Sequence, residues 1–374
     1  IMVLVLLAAT AVQYLAAGGR RPAKVGLIIA GVVAVVAFLI ANPYALLDFG
    51  TFRDGLNHQT SAAGAEGGKL GLTYHSGIAY YLWTLTWGLG WVPAMAALAG
   101  IYMLWRDERR LVALLAPAPI IFIIFMGTQG RFFGRWLMPI LPVVCLLAAY
   151  SILELADHGG RRWPALRPTF LALAVVLLCG QALVHSAHLG LVLSREDTRN
   201  LTRAWLVKNV PERSKIVVEP VVPDLWAQDT AHPSPFTSNG NRWVKFPTSR
   251  SQVNNDGTIT PGLGRIVNIE DYERTLLPEL IDQYEREKYC YVISGSTQSG
   301  RAFAEPGEVP LAIQYYKELD RRAEVVYKAS PYDPKRGTVL FNFDFSFDFY
   351  PLAYHRPGPL MTVYHLTGGA CRNP

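Results

Sequence analysis

The sequence contains few charged residues: Asp, Glu, Lys and Arg make up 17% of its 374 positions. Soluble globular domains usually carry about 25%. Together with 51% hydrophobic residues and a mean hydropathy of +0.20, this shortage argues against a chain that is soluble throughout. Up to Ser194 there are 13 Lys and Arg against 7 Asp and Glu, whereas the remainder has 22 of each sign. The basic surplus therefore belongs to the apolar half.

The sequence also lacks the short motifs of common soluble enzymes. It has no Walker phosphate loop, no GxGxxG after a strand, no HExxH, no GxSxG and no CxxC pair. Gly295-Ser296 with Ser299-Gly300 resembles a phosphate loop in composition only, because no helix-start chemistry follows it. A nucleic-acid-binding protein would carry its basic surplus on a soluble face. We therefore expect no nucleic-acid partner.

Cysteine is scarce, with four residues in the chain. Cys145 and Cys179 lie in apolar runs and carry no chemical signal. Cys290 and Cys371 are the only two in the second half, and a domain outside the cytoplasm could oxidise them to a disulfide. Separation along the chain does not give the distance between them, so the sequence leaves their pairing open.

Long apolar runs dominate the first half. A helix needs roughly 20 apolar residues to cross about 30 Å of hydrocarbon. We predict about six spans, namely Ile1–Ala17, Val25–Ala41, Ile78–Trp105, Leu111–Gln129, Trp136–Leu153 and Pro168–Leu193. Buried helices of a large soluble enzyme are the alternative for any single run, but a poor one for six in series. Because the first run has no charged flank like that of a signal peptide, we expect further sequence to precede it.

Basic residues in the connections between spans predict the orientation. They are concentrated in three turns, which hold Arg20, Arg21 and Lys24, then Arg106, Arg109 and Arg110, then Arg161, Arg162 and Arg167. These turns alternate with Ala41–Gly77 and Gly127–Arg135, which together hold the other four basic residues, Arg53, Lys69, Arg131 and Arg135. The positive-inside rule assigns the basic turns to the cytoplasm. The segment after Leu193 is then predicted to face outward.

The second half alternates helical patterns with short β-branched runs, as in a small α/β domain. The predicted helices are Asp197–Asn209, Leu276–Lys288 and Ala312–Ala323, and the predicted strands are Lys215–Glu219, Tyr289–Ser294, Glu324–Lys328 and Met361–Leu366. A long loop is predicted over Pro220–Pro261. The expected fold is a polytopic α-helical membrane protein: residues 1–194 form a transmembrane bundle, and residues 195–374 form an extracytoplasmic α/β domain.

The first outward segment, Asn42–Gly77, is more polar than a connection between spans needs to be. A short amphipathic helix lying along the interface would explain its aromatic residues. It explains His58, Glu66 and His75 less well, because a loop at the bilayer surface has no structural need for these groups. We therefore consider them candidates to line a site.

The second outward segment, Gly127–Pro142, contains Arg131 and Arg135. Residues four apart lie on one face of a helix, so their guanidinium groups could converge. Arginine binds phosphate oxygens through two parallel hydrogen bonds. Arginines on the outer side run against the positive-inside rule, so they need another explanation. Binding of a lipid-linked phosphate is one such explanation. Snorkelling to ordinary lipid headgroups is the alternative.

The order of these parts resembles a known family. NPYALLDF follows one span, RFFGRWLMPILP begins another, and DTRNLTRAWLVKNVP and GPLMTVYHL lie in the tail. In this order the chain resembles bacterial polyprenyl-phosphate-dependent glycosyltransferases of the GT-C fold. These are relatives of protein O-mannosyltransferases and lipid A aminoarabinose transferases, often called glycosyltransferase family 39. The resemblance covers nearly the whole chain, and the order of parts carries it more than any single motif.

The resemblance implies transfer of a sugar from a polyprenyl-phosphate donor to a lipid, glycan or protein acceptor at the outer face of a bacterial inner membrane. It implies that Arg131 and Arg135 hold the carrier phosphate. Asp48, His58, Glu66 and His75 become candidates for the sugar or acceptor cavity. The family's acidic general base has no counterpart here and is expected in preceding sequence, so the catalytic residue is unknown and this chain alone is expected to be inactive. A requirement for a divalent cation stays open.

Two other classes of function remain. A transporter or flippase for a lipid-linked or small substrate often shows internal repeats and broken helices. The sequence shows no repeat of span lengths and almost no charge within the spans. A non-enzymatic membrane assembly protein would account for the tail, but it would leave Arg131 and Arg135 without a purpose.

Overall fold

The structure is a computed structural model. It describes residues 20–64, 70–71, 76–129, 132–227, 241–249, 252–253, 259–260, 267–269, 271–341 and 350–372. The chain divides into two compact units: the first comprises Ile1–Gly67 and Tyr74–Ser186, and the second comprises Gly68–Thr73 and Ala187–Pro374. The first unit is helical where it is described, and the second contains the β-sheets.

The helical unit consists of α-helices and two short 3-10 helices. The α-helices are α1 Arg20–Ala41, α2 Tyr44–Leu47, α3 Phe49–Gly64, α4 Gly77–Gly88, α5 Trp91–Asp107, α6 Arg109–Leu115, α7 Pro117–Gly127, α8 Leu141–Arg162 and α9 Arg167–Leu193, the last of which continues into the second unit. The 3-10 helices are Gly134–Ile140 and Pro164–Leu166.

Within the described residues, three helical stretches are long and apolar enough to cross a membrane. They are Arg109–Gly127, Gly134–Arg162 and Pro164–Asn209. A bent pair, Gly77–Gly88 with Trp91–Asp107, would make a fourth. This is fewer than the six spans that we predicted: Val25–Ala41 is apolar but shorter, and Ile1–Ala17 lies outside the described residues. The structure thus supports three or four membrane-length helices.

The predicted span Ile78–Trp105 is broken in the structure. Helices α4 and α5 meet at an angle of 114°. Gly90 lies between them with φ of 118°, a conformation that only glycine adopts readily. The sequence signal for the break was the pair of glycines around Leu89, which we read as part of a continuous apolar run.

Helices α5 and α8 pack closely through small residues. A Cβ at Gly100 would overlap the backbone carbonyl of Leu147, so the two backbones approach as closely as glycine permits. The buried Ser151 hydroxyl donates a hydrogen bond of 2.7 Å to the carbonyl of Ala96 across the same contact. Small residues and interhelical hydrogen bonds of this kind are the usual basis of helix association in membranes.

The second unit alternates helices and strands. Its helices are α10 Thr198–Asn209, α11 Tyr272–Thr275, α12 Glu279–Glu287, α13 Ser296–Ala304 and α14 Pro310–Arg322, with 3-10 turns at Asp224–Ala227 and Gly369–Cys371. Its strands are β1 Lys215–Val218, β2 Val244–Lys245, β3 Thr248–Ser249, β4 Gln252–Val253, β5 Ile259–Thr260, β6 Val267–Asn268, β7 Tyr291–Gly295, β8 Ala323–Ala329 and β9 Met361–Leu366.

The main sheet is mixed and has the strand order β2-β1-β7-β9-β8. Strands β2, β1 and β7 are parallel, and β9 runs antiparallel to both β7 and β8. The four strands predicted from the sequence are β1, β7, β8 and β9. Strands β2, β3, β4 and β5 lie in the segment Pro220–Pro261, which we predicted as a long loop. We missed them because strands of two residues among Pro, Asn and Ser give no periodic signal.

Helices cover both faces of this sheet. Successive strand residues point to opposite faces, so Ile216 and Ile293 pack in a cluster with Leu206 of α10. Val217 and Val292 belong to the other cluster, which α12 and α14 complete. The unit is therefore a three-layer α/β sandwich.

Cys290 and Cys371 form a disulfide, with an S–S distance of 2.02 Å and a Cα–Cα distance of 5.3 Å. The bond joins the residue before β7 to the 3-10 turn that follows β9, and both cysteines belong to the core cluster of α12 and α14. The structure thereby resolves the pairing that the sequence left open.

Candidate functional site

The candidate residues of the first outward segment are only partly described. The side chain of Asp48 is exposed at the junction of α2 and α3, where its Oδ1 accepts a 3.2 Å hydrogen bond from the backbone N–H of Thr51. This bond caps the first turn of α3. The backbone of His58 lies in α3, but its side chain is outside the described part, as are Glu66 and His75. Their assignment to a cavity stays a prediction.

The arginine segment differs from the prediction in its backbone. Phe133 is extended, with φ of −138° and ψ of 139°, and the 3-10 helix begins at Gly134. The helical spacing that we used to bring Arg131 and Arg135 together therefore does not apply. Arg131 lies outside the described residues. The exposed Arg135 has its guanidinium carbon 4.4 Å from the ring centroid of Phe133, a cation–π contact.

A crevice in the α/β unit lies at the carboxyl ends of β1 and β7. The chain leaves β1 toward β2 on one side and later returns to β7 on the other side. In open α/β sheets this reversal leaves a gap outside the carboxyl ends of the strands, where ligands bind. The gap is here a cavity of about 370 Å³. We call it the β1–β7 crevice, lined by Arg199, Pro220, Val221, Val222, Pro223, Ile269, Glu273, Thr297, Gln298, Arg301, Tyr350, Tyr354, Gly358 and Pro359.

One wall of the β1–β7 crevice is built around an ion pair between Arg199 and Asp197. Asp197 caps α10 by accepting from the backbone N–H of Arg199, and its two carboxylate oxygens accept from Nε and Nη2 of the same residue at 2.9 and 2.6 Å. The Arg199 guanidinium lowers the pKa of Asp197 against the opposing effect of burial. Gly358 has φ of +96°, and a Cβ there would overlap Asp197 and Thr198. Glycine is required for this approach.

The lining of the crevice also contains the buried pair Glu273 and Arg301. The distance between Glu273 Oε1 and Arg301 Nη1 is 3.6 Å, which is long for a direct hydrogen bond. Arg301 Nη1 also donates to Gln298 Oε1 at 3.1 Å, while Gln298 Nε2 donates to the carbonyl of Pro220. Burial raises the pKa of Glu273 and lowers that of Arg301. The lining thus contains a carboxyl group whose charged form is weakly stabilised.

A second buried carboxyl group, Glu219, lies between β1 and the crevice. Its Oε1 accepts from the Tyr316 hydroxyl at 2.9 Å, and its Oε2 accepts from the Ser294 hydroxyl and the Gly295 N–H at 2.9 and 2.8 Å. Burial is the main cause that raises the pKa of Glu219 to about 7, and the three hydrogen bonds oppose it. Glu219 therefore ties the end of β1 to the end of β7, next to Pro220 and Val221, which line the crevice.

The turn from β7 into α13 contradicts one interpretation of the sequence. We rejected Gly295-Ser296 with Ser299-Gly300 as a phosphate loop because we found no helix-start chemistry there, but a helix, α13, does begin at Ser296. Ser296 donates its N–H to the carbonyl of Leu360 and accepts from the N–H of Leu360 through Oγ. The partner is remote in sequence, so a local capping motif was absent. The apolar strand ending in Gly-Ser was the signal that could have identified the crevice.

Metal binding finds no support in the described part of the chain, where no group of three or more His, Cys, Asp or Glu side chains could hold an ion. The arrangement in the β1–β7 crevice instead combines paired charges, hydroxyl and amide groups, and tyrosine rings. Such a mixture suits a polar organic ligand.

The comparisons with known proteins give no family for this chain. No protein-family model matches the sequence, and no curated protein matches it significantly.

Proposed function

We propose that the protein is a membrane glycosyltransferase that moves a sugar from a polyprenyl-phosphate carrier to an acceptor on the outer face of a bacterial inner membrane. The proposal rests on the resemblance in the order of parts to GT-C enzymes of family 39. It is supported by membrane-length helices joined to an α/β unit with a ligand-sized crevice. The single observation that carries it is the position of Arg135.

Arg135 lies at the head of a membrane-length helical stretch, Gly134–Arg162. A guanidinium is always charged in proteins and matches the geometry of phosphate oxygens. Its contact with Phe133 holds the group beside an aromatic ring at the membrane end of the helix. A carrier with a phosphate head and an apolar polyprenyl chain has the complementary arrangement of charge and hydrocarbon. As the sugar leaves, fixed positive charge stabilises the phosphate that is released.

The disulfide supports the outward position of the α/β unit. Disulfides persist in the periplasm and outside cells, whereas cytosolic thiols are kept reduced. Cys290 and Cys371 are buried together in the core of this unit. An oxidised core suits a domain that has crossed the membrane, and a sugar carried by a polyprenyl phosphate is used on that side.

The test compares Arg135 with a matched arginine. Arg109 also begins a membrane-length stretch and lies over an aromatic ring, that of Trp105 at 5.6 Å, but its turn is predicted to be cytoplasmic. Donor affinity is measured with a fluorescent polyprenyl-phosphate sugar and the full chain in nanodiscs. We expect Arg135→Ala to weaken binding about tenfold or more, Arg135→Lys to weaken it less, and Arg109→Ala to leave it unchanged.

Sugar transfer is measured in parallel in membranes that contain the full-length protein, including the preceding sequence that is expected to carry the general base, with a radiolabelled donor. If Arg135→Ala and Arg109→Ala affect donor affinity equally, Arg135 only snorkels to headgroups. If the wild-type chain does not bind the donor at all, the glycosyltransferase proposal is wrong.

A transporter is the second candidate, and the break between α4 and α5 favours it. Discontinuous membrane helices are typical of transporter binding sites. The break has its own hydrogen-bond partner, Gln181 of α9, which bonds to Trp91 N–H and to the carbonyl of Thr86. Proteoliposomes distinguish the two functions: a flippase moves a labelled lipid-linked sugar across the bilayer without an acceptor, whereas a transferase consumes it only when an acceptor is present.

A further inference from the structure

The β1–β7 crevice has no role in the proposed docking of a carrier phosphate at Arg135. It is a concave site on the α/β unit, at the point of the sheet where the chain reverses direction. Its volume of about 370 Å³ falls within the range of small-ligand pockets, roughly 300–1,000 Å³. The chemistry of its walls indicates what it binds.

We propose that the β1–β7 crevice is a carbohydrate-binding site that takes an uncharged sugar unit. This goes beyond the proposed transfer reaction, because it assigns a ligand to the α/β unit and holds whether or not the chain is a transferase. Three features of the walls carry the proposal: the pairing of charges, an unsatisfied carboxylate oxygen, and two tyrosine rings.

The charges in the crevice are paired. Arg199 is held by both carboxylate oxygens of Asp197, and Arg301 lies beside Glu273. An anionic ligand would have to displace these carboxylates and would be repelled by Glu273, which itself lines the cavity. A neutral ligand meets no such cost. The pairing therefore favours hydroxyl groups over phosphate or carboxylate as the recognised chemistry.

Glu273 has an acceptor that lacks a hydrogen bond. Its side chain is 8% exposed, and Oε1 has no hydrogen-bond partner among the described residues. Unsatisfied buried acceptors are uncommon, because each costs free energy. Oε1 itself is shielded from solvent beside Arg301 Nη1, but Glu273 lines the cavity, and a sugar hydroxyl that donates to the carboxylate there would add a charge-assisted bond to this weakly held group. The part-exposed Thr297, in the first turn of α13, adds a hydroxyl that both donates and accepts.

The tyrosines supply an apolar surface. The rings of Tyr350 and Tyr354 are 5.2 Å apart with an interplanar angle of 61°, so they form a corner rather than a flat wall. Both line the cavity. A sugar ring presents C–H groups on its faces and hydroxyls around its edge. The ring faces of tyrosine match the C–H groups, and Glu273 with Thr297 matches the hydroxyls.

The helix N-terminus does not turn the crevice into a phosphate site. The first N–H of α13, that of Ser296, already donates to the carbonyl of Leu360. Ser296 Oγ is also engaged, since it accepts from Leu360. Phosphate binding at helix ends depends on N–H groups that point at the ligand and on an absence of competing negative charge. Glu273 supplies such a charge, so anion binding becomes the alternative that the experiment must test.

The test uses the full chain in detergent micelles and measures binding by saturation-transfer-difference NMR and calorimetry. The neutral probes are glucose, mannose, galactose and N-acetylglucosamine with their disaccharides. The anionic probes are inorganic phosphate and pyrophosphate. A polyprenyl-phosphate hexose in mixed micelles forms a third arm, which separates the sugar of a lipid-linked donor from a soluble acceptor glycan. Variants are Glu273→Gln and Thr297→Val in the crevice, with exposed Glu324→Gln of β8 as the matched control.

We expect at least one neutral sugar to bind saturably, with affinity reduced about tenfold by Glu273→Gln and several-fold by Thr297→Val, and unchanged by Glu324→Gln. Competition between soluble sugar and the lipid-linked hexose would identify the donor sugar as the ligand, and its absence would identify a glycan acceptor. Thermal unfolding of each variant checks that it is folded. If Glu273→Gln does not fold, Thr297→Val still tests the proposal. The proposal is overturned if no neutral sugar binds, if binding is indifferent to both crevice variants, or if phosphate binds and Glu273→Gln strengthens it.

Discussion

The side-chain oxygen of Gln181 accepts a 3.0 Å hydrogen bond from the backbone N–H of Trp91, the first residue of α5. The amide nitrogen of the same side chain donates to the carbonyl of Thr86 in α4, also at 3.0 Å. One amide from α9 thus satisfies backbone groups on both sides of the helix break. Within a bilayer, water would not be present to satisfy them.

We expect Gln181→Leu to destabilise the helical unit, because it leaves a backbone donor and an acceptor without partners at the break. The loss is about 1–3 kcal/mol in the free energy of unfolding. Unfolding in mixed micelles of increasing denaturing-detergent content measures it. Gln129→Leu is the control, since among the described residues the amide of Gln129 bonds within its own helix end, to the carbonyl of Phe125. Equal stability of the two variants would show that the bridge contributes nothing.

Gly100 is expected to tolerate no larger side chain. Because a Cβ there would overlap the carbonyl of Leu147, Gly100→Leu must separate α5 from α8 and disrupt the nearby bond from Ser151. Overpacking of this kind costs about 1–3 kcal/mol or more. Gly31→Leu in α1 is the matched control, since a Cβ at Gly31 meets nothing within 4 Å. Thermal stability and size-exclusion profiles in detergent should change for the first variant only.

Glu219 makes the stability of the α/β unit depend on pH. Its pKa is about 7 in the folded state against 4.5 for an ordinary glutamate, so the folded state holds the proton more tightly. The stabilisation that the protonated Glu219 contributes to the folded state is fully present below about pH 4.5 and is lost as pH rises through 7. The shift corresponds to a loss of about 3 kcal/mol in the free energy of unfolding across this window.

Glu219→Gln removes this dependence, because an amide does not titrate. The glutamine oxygen can accept from Ser294 and Gly295 while its NH2 donates to the hydroxyl of Tyr316, so the variant should fold. Urea unfolding followed by near-UV circular dichroism between pH 4.5 and 8 measures the effect. Glu324→Gln, at an exposed position, should leave the wild-type slope intact. A slope that survives in Glu219→Gln would assign the titration to another group.

The disulfide links residues that are 81 positions apart, and its loss should be costly. Cross-links that close loops of this length stabilise a domain by about 4 kcal/mol. Cys371→Ser should lower the free energy of unfolding of the α/β unit by an amount of this order, whereas Cys145→Ser, at an exposed free cysteine of α8, should not.

The compartment can be tested with the same cysteines. When cells are lysed in a denaturant that contains a maleimide reagent, Cys290 and Cys371 should react only if a reductant was added first, because we propose that the α/β unit lies in an oxidising compartment. Reaction without a reductant would show that the α/β unit is not in an oxidising compartment.

Much of the local structure could be predicted. The helix Thr198–Asn209, the strand Met361–Leu366 and the helix Pro310–Arg322 follow from hydrophobic periodicity, which depends on neighbouring residues. The break at Gly90 was missed because the apolar run continues across it. Of the predicted site residues, Asp48 is described as a helix cap and Arg135 as a ring-stacked cation. The β1–β7 crevice was not predicted from the sequence.

The sequence by itself determined which segments are apolar enough for a membrane and which alternate as an α/β domain, because hydrophobicity and secondary-structure propensity act over a few residues. Only the tertiary structure decided that Gln181 bridges a broken helix, that Cys290 meets Cys371, and that Glu273, Arg301 and Arg199 line one crevice. These pairs are remote in the chain, and the packing of the helices and the order of the strands bring them together.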